Sequence, residues 1–276
     1  MKINLYKKWI IMTLCSIWGA ISHADTAGLV NQQLIPMNDV KVYVNRALKS
    51  QDGAYLLQLY SGIWDPHGTL YDIVKHDSLS FEGSQKGNKI TLSSFDPEIG
   101  EQARGAFRLT GDLNNNTGIY QAKLISKDPV IQNDIIFIPL VEVLDRPKFL
   151  FNFYGVYLKK EHSNVITQID ILDKETKKIY QRLTGFIAYG YSATYVDVNY
   201  DGYFDLVLAD VSGDLDITDN HYIYWMYNPK TKKFQRSPQL DGKGYPTLYI
   251  DQSEVNFSEG YIYKVKNGKF YKIDNK

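Results

Sequence analysis

Along most of the chain, hydrophobic and polar residues alternate in short runs bounded by Gly, Asn, Asp and Pro. Alternation with period two sends successive side chains to opposite faces, the mark of a half-buried β-strand. Residues 89–93, 118–125 and 165–172 show it clearly. Residues 261–265 and 269–273 alternate on either side of Asn267-Gly268, and Asn-Gly in that setting is the strongest short-range hairpin signal. Residues 222–227 and 232–234 flank Asn228-Pro229-Lys230-Thr231 and predict a second hairpin. Helical periodicity is scarce. Residues 40–50 are the best helical candidate, and a further turn is expected at 173–176. The pattern predicts an all-β protein of antiparallel sheets, sandwich or propeller-like, with little helix.

A soft boundary falls at Ser126-Lys127-Asp128-Pro129 and divides a Gly- and Asn-rich β region, 25–128, from a more aromatic β domain, 129–276. Residues 81–83 and 107–111 share a loose Phe-to-Gly likeness. The stretch 25–38 is expected to be a lead-in. The first 24 residues read differently. Lys2, Lys7 and Lys8 form a positive start, residues 9–20 are apolar and uncharged, and Ser22 and Ala24 place small residues before Asp25. This is the layout of a cleaved signal peptide. Its apolar run falls short of the roughly 20 residues a spanning helix needs. Leu14, preceding the lone Cys15, argues against a lipid anchor. No later segment is long and apolar enough to span a bilayer, so a soluble protein outside the cytoplasm, in a bacterial periplasm or exterior, is expected. The sequons at Asn115 and Asn256 then carry no meaning.

Composition narrows the classes. The 276 residues hold 31 Lys plus Arg against 31 Asp plus Glu. Such a balance gives no basic field for nucleic acid. Without the three lysines of residues 1–24 the count is 28 against 31, a net charge near −3. Apolar residues make up 44%, which excludes wholesale disorder. With one Cys, neither an internal disulfide nor a thiolate metal cluster can form.

The sharpest motif is Asp197-Val-Asn199-Tyr-Asp201-Gly202-Tyr203-Phe204-Asp205. Side chains at positions 1, 3 and 5 of a tight loop converge on one point. Gly at position 6 allows the sharp turn that brings the carbonyl of position 7 to the same point, and an acid at position 9 completes the cage. Hard oxygen donors in such a loop suit Ca²⁺. The expected donors are Asp197, Asn199, Asp201, the Tyr203 carbonyl and Asp205. Position 12 is Leu208 rather than Glu, and the flanks read as strands, so this is a calcium loop between strands and not an EF-hand. The same residues also suit a plain polar turn that binds nothing. A second acidic stretch contains Asp210, Ser212, Gly213, Asp214, Asp216 and Asp219 and leads to Tyr222. It is read as a solvated loop, a partner-binding loop, or a second cation site that lacks Gly at the turn.

The calcium loop, followed by Tyr222-Ile-Tyr224-Trp225-Met-Tyr227 and by Asn228-Pro229-Lys-Thr231, resembles a family of small periplasmic bacterial proteins labelled FG-GAP-like. That family includes immunity proteins against peptidoglycan-cleaving effectors of an antibacterial type IV secretion system. They are similar to periplasmic inhibitors of invertebrate-type lysozyme. The resemblance covers residues 150–236 and is general β character elsewhere. It implies a β-rich fold, one bound Ca²⁺ and a loop that plugs a glycan-hydrolase cleft. In the inhibitors that loop has a Ser-Gly-x-x-Tyr pattern. Here Ser212-Gly213 is followed three residues on by Asp216, not Tyr, and the next Tyr is Tyr222. The implied partner is a lysozyme-like peptidoglycan hydrolase, met by Ser212, Gly213, Asp214, Asp216 and Tyr222. An acidic loop would meet the carboxylates of a glycosidase cleft unfavourably.

Signatures of catalysis are absent: no Gly-x-Ser-x-Gly, Ser-x-x-Lys, His-Glu-x-x-His or phosphate-binding Gly-rich loop occurs. His67, His76, His162 and His221 stand among polar or turn residues; His67 and His76 joined by an acid would be the one His-based metal reading. A pair of catalytic carboxylates needs only proximity in space, so a glycan-active enzyme stays open, as does a non-catalytic envelope or adhesion module stabilised by calcium. The leading expectation is a protein that works by binding, not an enzyme.

Overall fold

The computed structural model describes residues 33–95, 105–158, 163–211, 221–258 and 260–273. The expected signal peptide lies outside them. The described chain is β throughout. After the short β1 (Ile35–Met37) come β2 (Lys41–Ser50), β3 (Tyr55–Ser61), β4 (His67–Asp72) and β5 (Asp77–Lys86). They are followed by β6 (Lys89–Phe95), β7 (Phe107–Leu113), β8 (Tyr120–Lys127) and β9 (Val130–Pro139). From β2 onward each strand pairs antiparallel with the next. β9 then returns to β2 through Leu48↔Pro139, Lys49↔Ile138 and Ser50↔Phe137. This closes an up-and-down barrel of strands β2 to β9, where a sandwich or propeller was expected. Its interior is filled by Leu48, Leu59, Phe81, Leu109, Tyr120 and Phe137, among others.

Two barrel glycines are fixed by close approach. A Cβ on Gly83 would lie 2.1 Å from the Thr91 carbonyl oxygen, and one on Gly111 would lie 2.0 Å from that of Gln121. Neighbouring backbone fills the space a side chain would need, which is how a closed sheet bends. The likeness between 81–83 and 107–111 is this shared bend. The compositional boundary at 126–129 falls in the β8–β9 turn, and β9 is a barrel strand. The change in composition there does not coincide with a change in architecture.

Residues 40–50 are not helical: all but Val40 form β2. Ala47, Leu48 and Lys49 favour helix locally, but pairing on both edges of the strand overrides that preference. Buried Asn45 and Arg46 also break the alternation that would have announced a strand.

The second half packs as layers. β10 (Phe149–Leu158), β11 (Ser163–Asp173), β12 (Ile179–Leu183) and β13 (Ala188–Tyr189) form one sheet with β1. The turn at 173–176 joins β11 to β12 as expected, with Asp173 accepting the N–H groups of Glu175 and Thr176. β14 (Ser192–Val196), β15 (Asp205–Ala209), β16 (Tyr222–Asn228) and β17 (Lys233–Arg236) extend the barrel sheet. β14 joins β2 in parallel, Ser192↔Lys41 through Val196↔Asn45. β14 and β9 thus share one edge of β2 and part company at Arg46 and Ala47. A last sheet holds β18 (Thr247–Tyr249), β19 (Glu254–Asn256), β20 (Ile262–Lys266) and β21 (Lys269–Ile273).

The β14–β17 sheet is covered on both faces. Leu206, Leu208 and Ile223 pack with Ile169 and Ile171 of β11, while Val207 and Tyr224 pack with Val255 and Phe257 near β19. This is why β15 reads as an unbroken apolar run rather than an alternation. Both predicted hairpins are present, β16–β17 and β20–β21.

Candidate functional site

The motif of residues 197–205 forms the turn between β14 and β15. Asp197 accepts two main-chain N–H bonds, from Asp201 to Oδ1 at 3.0 Å and from Gly202 to Oδ2 at 2.8 Å. Asn199 Oδ1 accepts from the same Asp201 N–H at 3.3 Å, so the side-chain oxygens of positions 1 and 3 do converge. Asn199 Nδ2 donates to Asp201 Oδ2 at 3.0 Å, and Tyr203 N–H donates to Asp201 Oδ1 at 2.9 Å. Gly202 has φ +90, and a Cβ on it would lie 2.6 Å from Val143 Cγ1. Only glycine meets both demands at position 6.

Asp205 stands apart in kind. It is fully buried, and its carboxylate accepts from Val198 N–H at 3.0 Å and Tyr227 N–H at 2.8 Å. It ties the turn to the adjoining strand β16, so both its oxygens already have structural work. Burial, followed by the Asp201 charge, pushes the Asp197 carboxyl up to about 7. Burial also raises Asp201, and burial with the charges of Asp197 and Asp201 raises Asp205 well above the usual carboxylate range.

Two further pieces hold the turn. Arg146 donates from Nε to the Gly202 carbonyl at 2.6 Å and from Nη2 to the Val141 carbonyl at 3.1 Å. Tyr203 Oη bonds Asp145. On another side a Cβ at Gly268, in the β20–β21 turn, would come 3.4 Å from Asn199 Nδ2. Sequence reasoning found the turn but missed Arg146 and its neighbour Arg46. Neither has a spacing relation to the motif, and only the fold brings them in.

The donor set is hard oxygen, which fits Ca²⁺ in kind. Among the described residues no three His, Cys, Asp or Glu side chains are grouped to hold a metal ion. Any cation here would draw on Asp197 and Asp201 together with the Asn199 amide oxygen and main-chain carbonyl oxygen. His67 and His76 are not joined, since His67 opens β4, where its ring stacks on Tyr60, and His76 lies in the turn beyond the far end of that strand.

Of the expected partner loop, Ser212, Gly213, Asp214 and Asp216 lie outside the described residues. The ends of that connection are described. Asp210 N–H donates to the His221 carbonyl at 2.9 Å, Val211 N–H to Ile187 at 3.2 Å, and Tyr222 N–H to Lys243 at 2.9 Å. Tyr222 is half-buried at the start of β16, with its ring edge-on to Tyr245. The 197–204 turn and the described ends of the connection, Asp210 and His221, lie at opposite ends of β15, about 17 Å apart at ~3.3 Å per residue. The turn therefore does not brace the loop's base. Compared with known proteins, the chain matches no family model and no curated protein.

Proposed function

We propose that this is a secreted, calcium-binding protein that acts by binding rather than catalysis, and that it inhibits a lysozyme-like peptidoglycan hydrolase by inserting the 212–220 connection into the enzyme's cleft. One observation carries the reading: the two ends of that connection are bonded to each other, Asp210 N–H to the His221 carbonyl, and each to a further segment, Val211 to Ile187 and Tyr222 to Lys243. A loop held at its base loses less freedom on association. In this reading the loop's support comes from Ile187, His221 and Lys243, and Ca²⁺ at Asp197, Asn199 and Asp201 stabilises the fold alone. The test is turbidity loss of purified peptidoglycan by a panel of lysozyme-like hydrolases, with and without the protein. Stoichiometric protection that vanishes when 212–220 is replaced by a Gly-Ser linker, with thermal stability kept, is the expected result. No protection across the panel refutes inhibition.

The distance between the metal turn and the loop favours a second reading, an envelope structural module whose calcium only locks the strands. Calcium-dependent stability without hydrolase protection is its signature.

A further inference from the structure

Where β14 and β9 diverge from β2, the fork leaves a cleft of about 590 Å³, within the size range of small-molecule sites. Arg46 stands on β2 at the parting point, on the same strand face as barrel-filling Leu48, and is 6% exposed. Its Nε donates to Ser61 Oγ at 3.2 Å and its Nη2 to Asn115 Oδ1 at 3.3 Å. Both acceptors are neutral. Arg146, half-buried, donates to two carbonyls, those of Gly202 and Val141. Both guanidiniums lie over the Phe204 ring, at 5.7 Å and 4.9 Å from its centroid. Both reach the same spot: a Cβ on Gly118 would be 3.7 Å from Arg46 Nη1 and 3.9 Å from Arg146 Nη1.

Two like charges beside one glycine, one buried and one half-buried, are costly unless something anionic answers them. Asp197 and Asp201 draw on Arg146 electrostatically. Yet among the described residues neither arginine forms an ion pair within 4 Å. The rest of the cleft is shaped for a body attached to an anion. Phe149, Phe151, Tyr195 and Phe204 form an aromatic wall, with Phe151 on Tyr195 at 5.2 Å and Tyr195 on Phe204 at 4.9 Å. Lys174, bonded to Asn116 Oδ1 at 2.9 Å, stands at the rim with further amide groups that suit hydroxyls.

We propose that this cleft binds a sugar-sized ligand bearing a carboxylate or phosphate, the acid group between Arg46 and Arg146 and the ring against the aromatic wall. Arginine forks match planar or tetrahedral oxyanions. The site is independent of the hydrolase reading, since it lies at the fork and not at the 212–220 connection.

The test is calorimetric titration of the protein with glucuronate, glucose 6-phosphate, glucose and inorganic phosphate. Glucuronate or glucose 6-phosphate binding at least about tenfold tighter than glucose is expected, one charge-assisted hydrogen bond being worth that factor. Whichever acid binds tighter identifies the group preferred. Equal binding of acid and neutral sugars, or none by any of them, overturns the proposal. Inorganic phosphate matching glucose 6-phosphate overturns the role of the aromatic wall. Arg46→Met should weaken acid binding by about tenfold or more. Because that residue is buried, Lys174→Glu at the rim provides a folded counterpart, with weakening of about fivefold expected from reversing one nearby charge. Acid binding unchanged in Lys174→Glu and in a folded Arg46→Met overturns the assignment.

Discussion

Gly202→Ala tests the reasoning about the site most directly. Gly202 has φ +90, where an L side chain is strained. Its new Cβ would also meet Val143 Cγ1 at 2.6 Å and Val141 Cγ1 at 3.1 Å, the first about 0.8 Å inside the 3.4 Å of ordinary contact. Backbone strain costs about 1 kcal/mol or more, and overpacking typically adds about 1–3 kcal/mol. The total expected is about 2–4 kcal/mol. Gly53→Ala is the control. It has φ +76 but nothing within 4 Å of the added Cβ, so only the strain of about 1 kcal/mol applies. Urea unfolding of both variants, with matched m-values, separates the two contributions. The displaced segment carries Arg146, whose Nε bonds the Gly202 carbonyl. Gly202→Ala should therefore also weaken acid binding in the cleft, and Gly53→Ala should not. Equal losses of stability in the two variants would refute the claim that the 141–146 segment packs against the turn.

Further outcomes follow from other features. If the turn takes Ca²⁺ with a Kd of about 10⁻⁴ M, moving from chelator to 10 mM calcium should stabilise the fold by about 2.7 kcal/mol, a Tm rise of roughly 6–10 °C; scanning fluorimetry showing no rise would leave a polar turn that binds nothing. Gly111→Val forces a side chain into the Gln121 and Ala122 backbone and should cost about 3 kcal/mol or prevent folding, and a soluble variant of unchanged melting temperature would contradict it. Arg182 grips Asp170, which is 3% exposed, through two bonds of 2.6 and 2.8 Å. Arg182→Met should lower the midpoint of chemical denaturation, since among the described residues only the Gln168 side chain then bonds the buried carboxylate; an unchanged midpoint would show that the pair is idle.

Local chemistry was legible in the sequence and long-range pairing was not. Asn267 and Gly268 carry φ +52 and +69, the left-handed pair that a two-residue hairpin demands, so β20–β21 could be read from two letters. The 197–205 turn was legible for the same reason, its glycine and its acids being set within nine residues. β2 was not, because what makes it a strand is pairing with β3, β9 and β14. Nothing within residues 40–50 records those partners. Barrel closure depends on the β2–β9 register, which no local pattern states. Arg46 and Arg146 are far apart in the chain and meet only because the sheet forks. Two-sided burial erased the alternation of β15, so the layered packing of the second half was hidden as well.

The shared strand has a consequence for the order in which the chain is made. β9 can close the barrel against residues 48–50 soon after it is synthesised, yet residues 41–45 keep an open edge until 192–196 arrive. That edge carries Val42 and Val44, and an unpaired apolar edge recruits other strands. A chain interrupted before β14 would be a finished barrel with an adhesive border, prone to pair with its own copies. The molecule therefore cannot be divided into an independent first half and a dispensable second, although its composition changes midway.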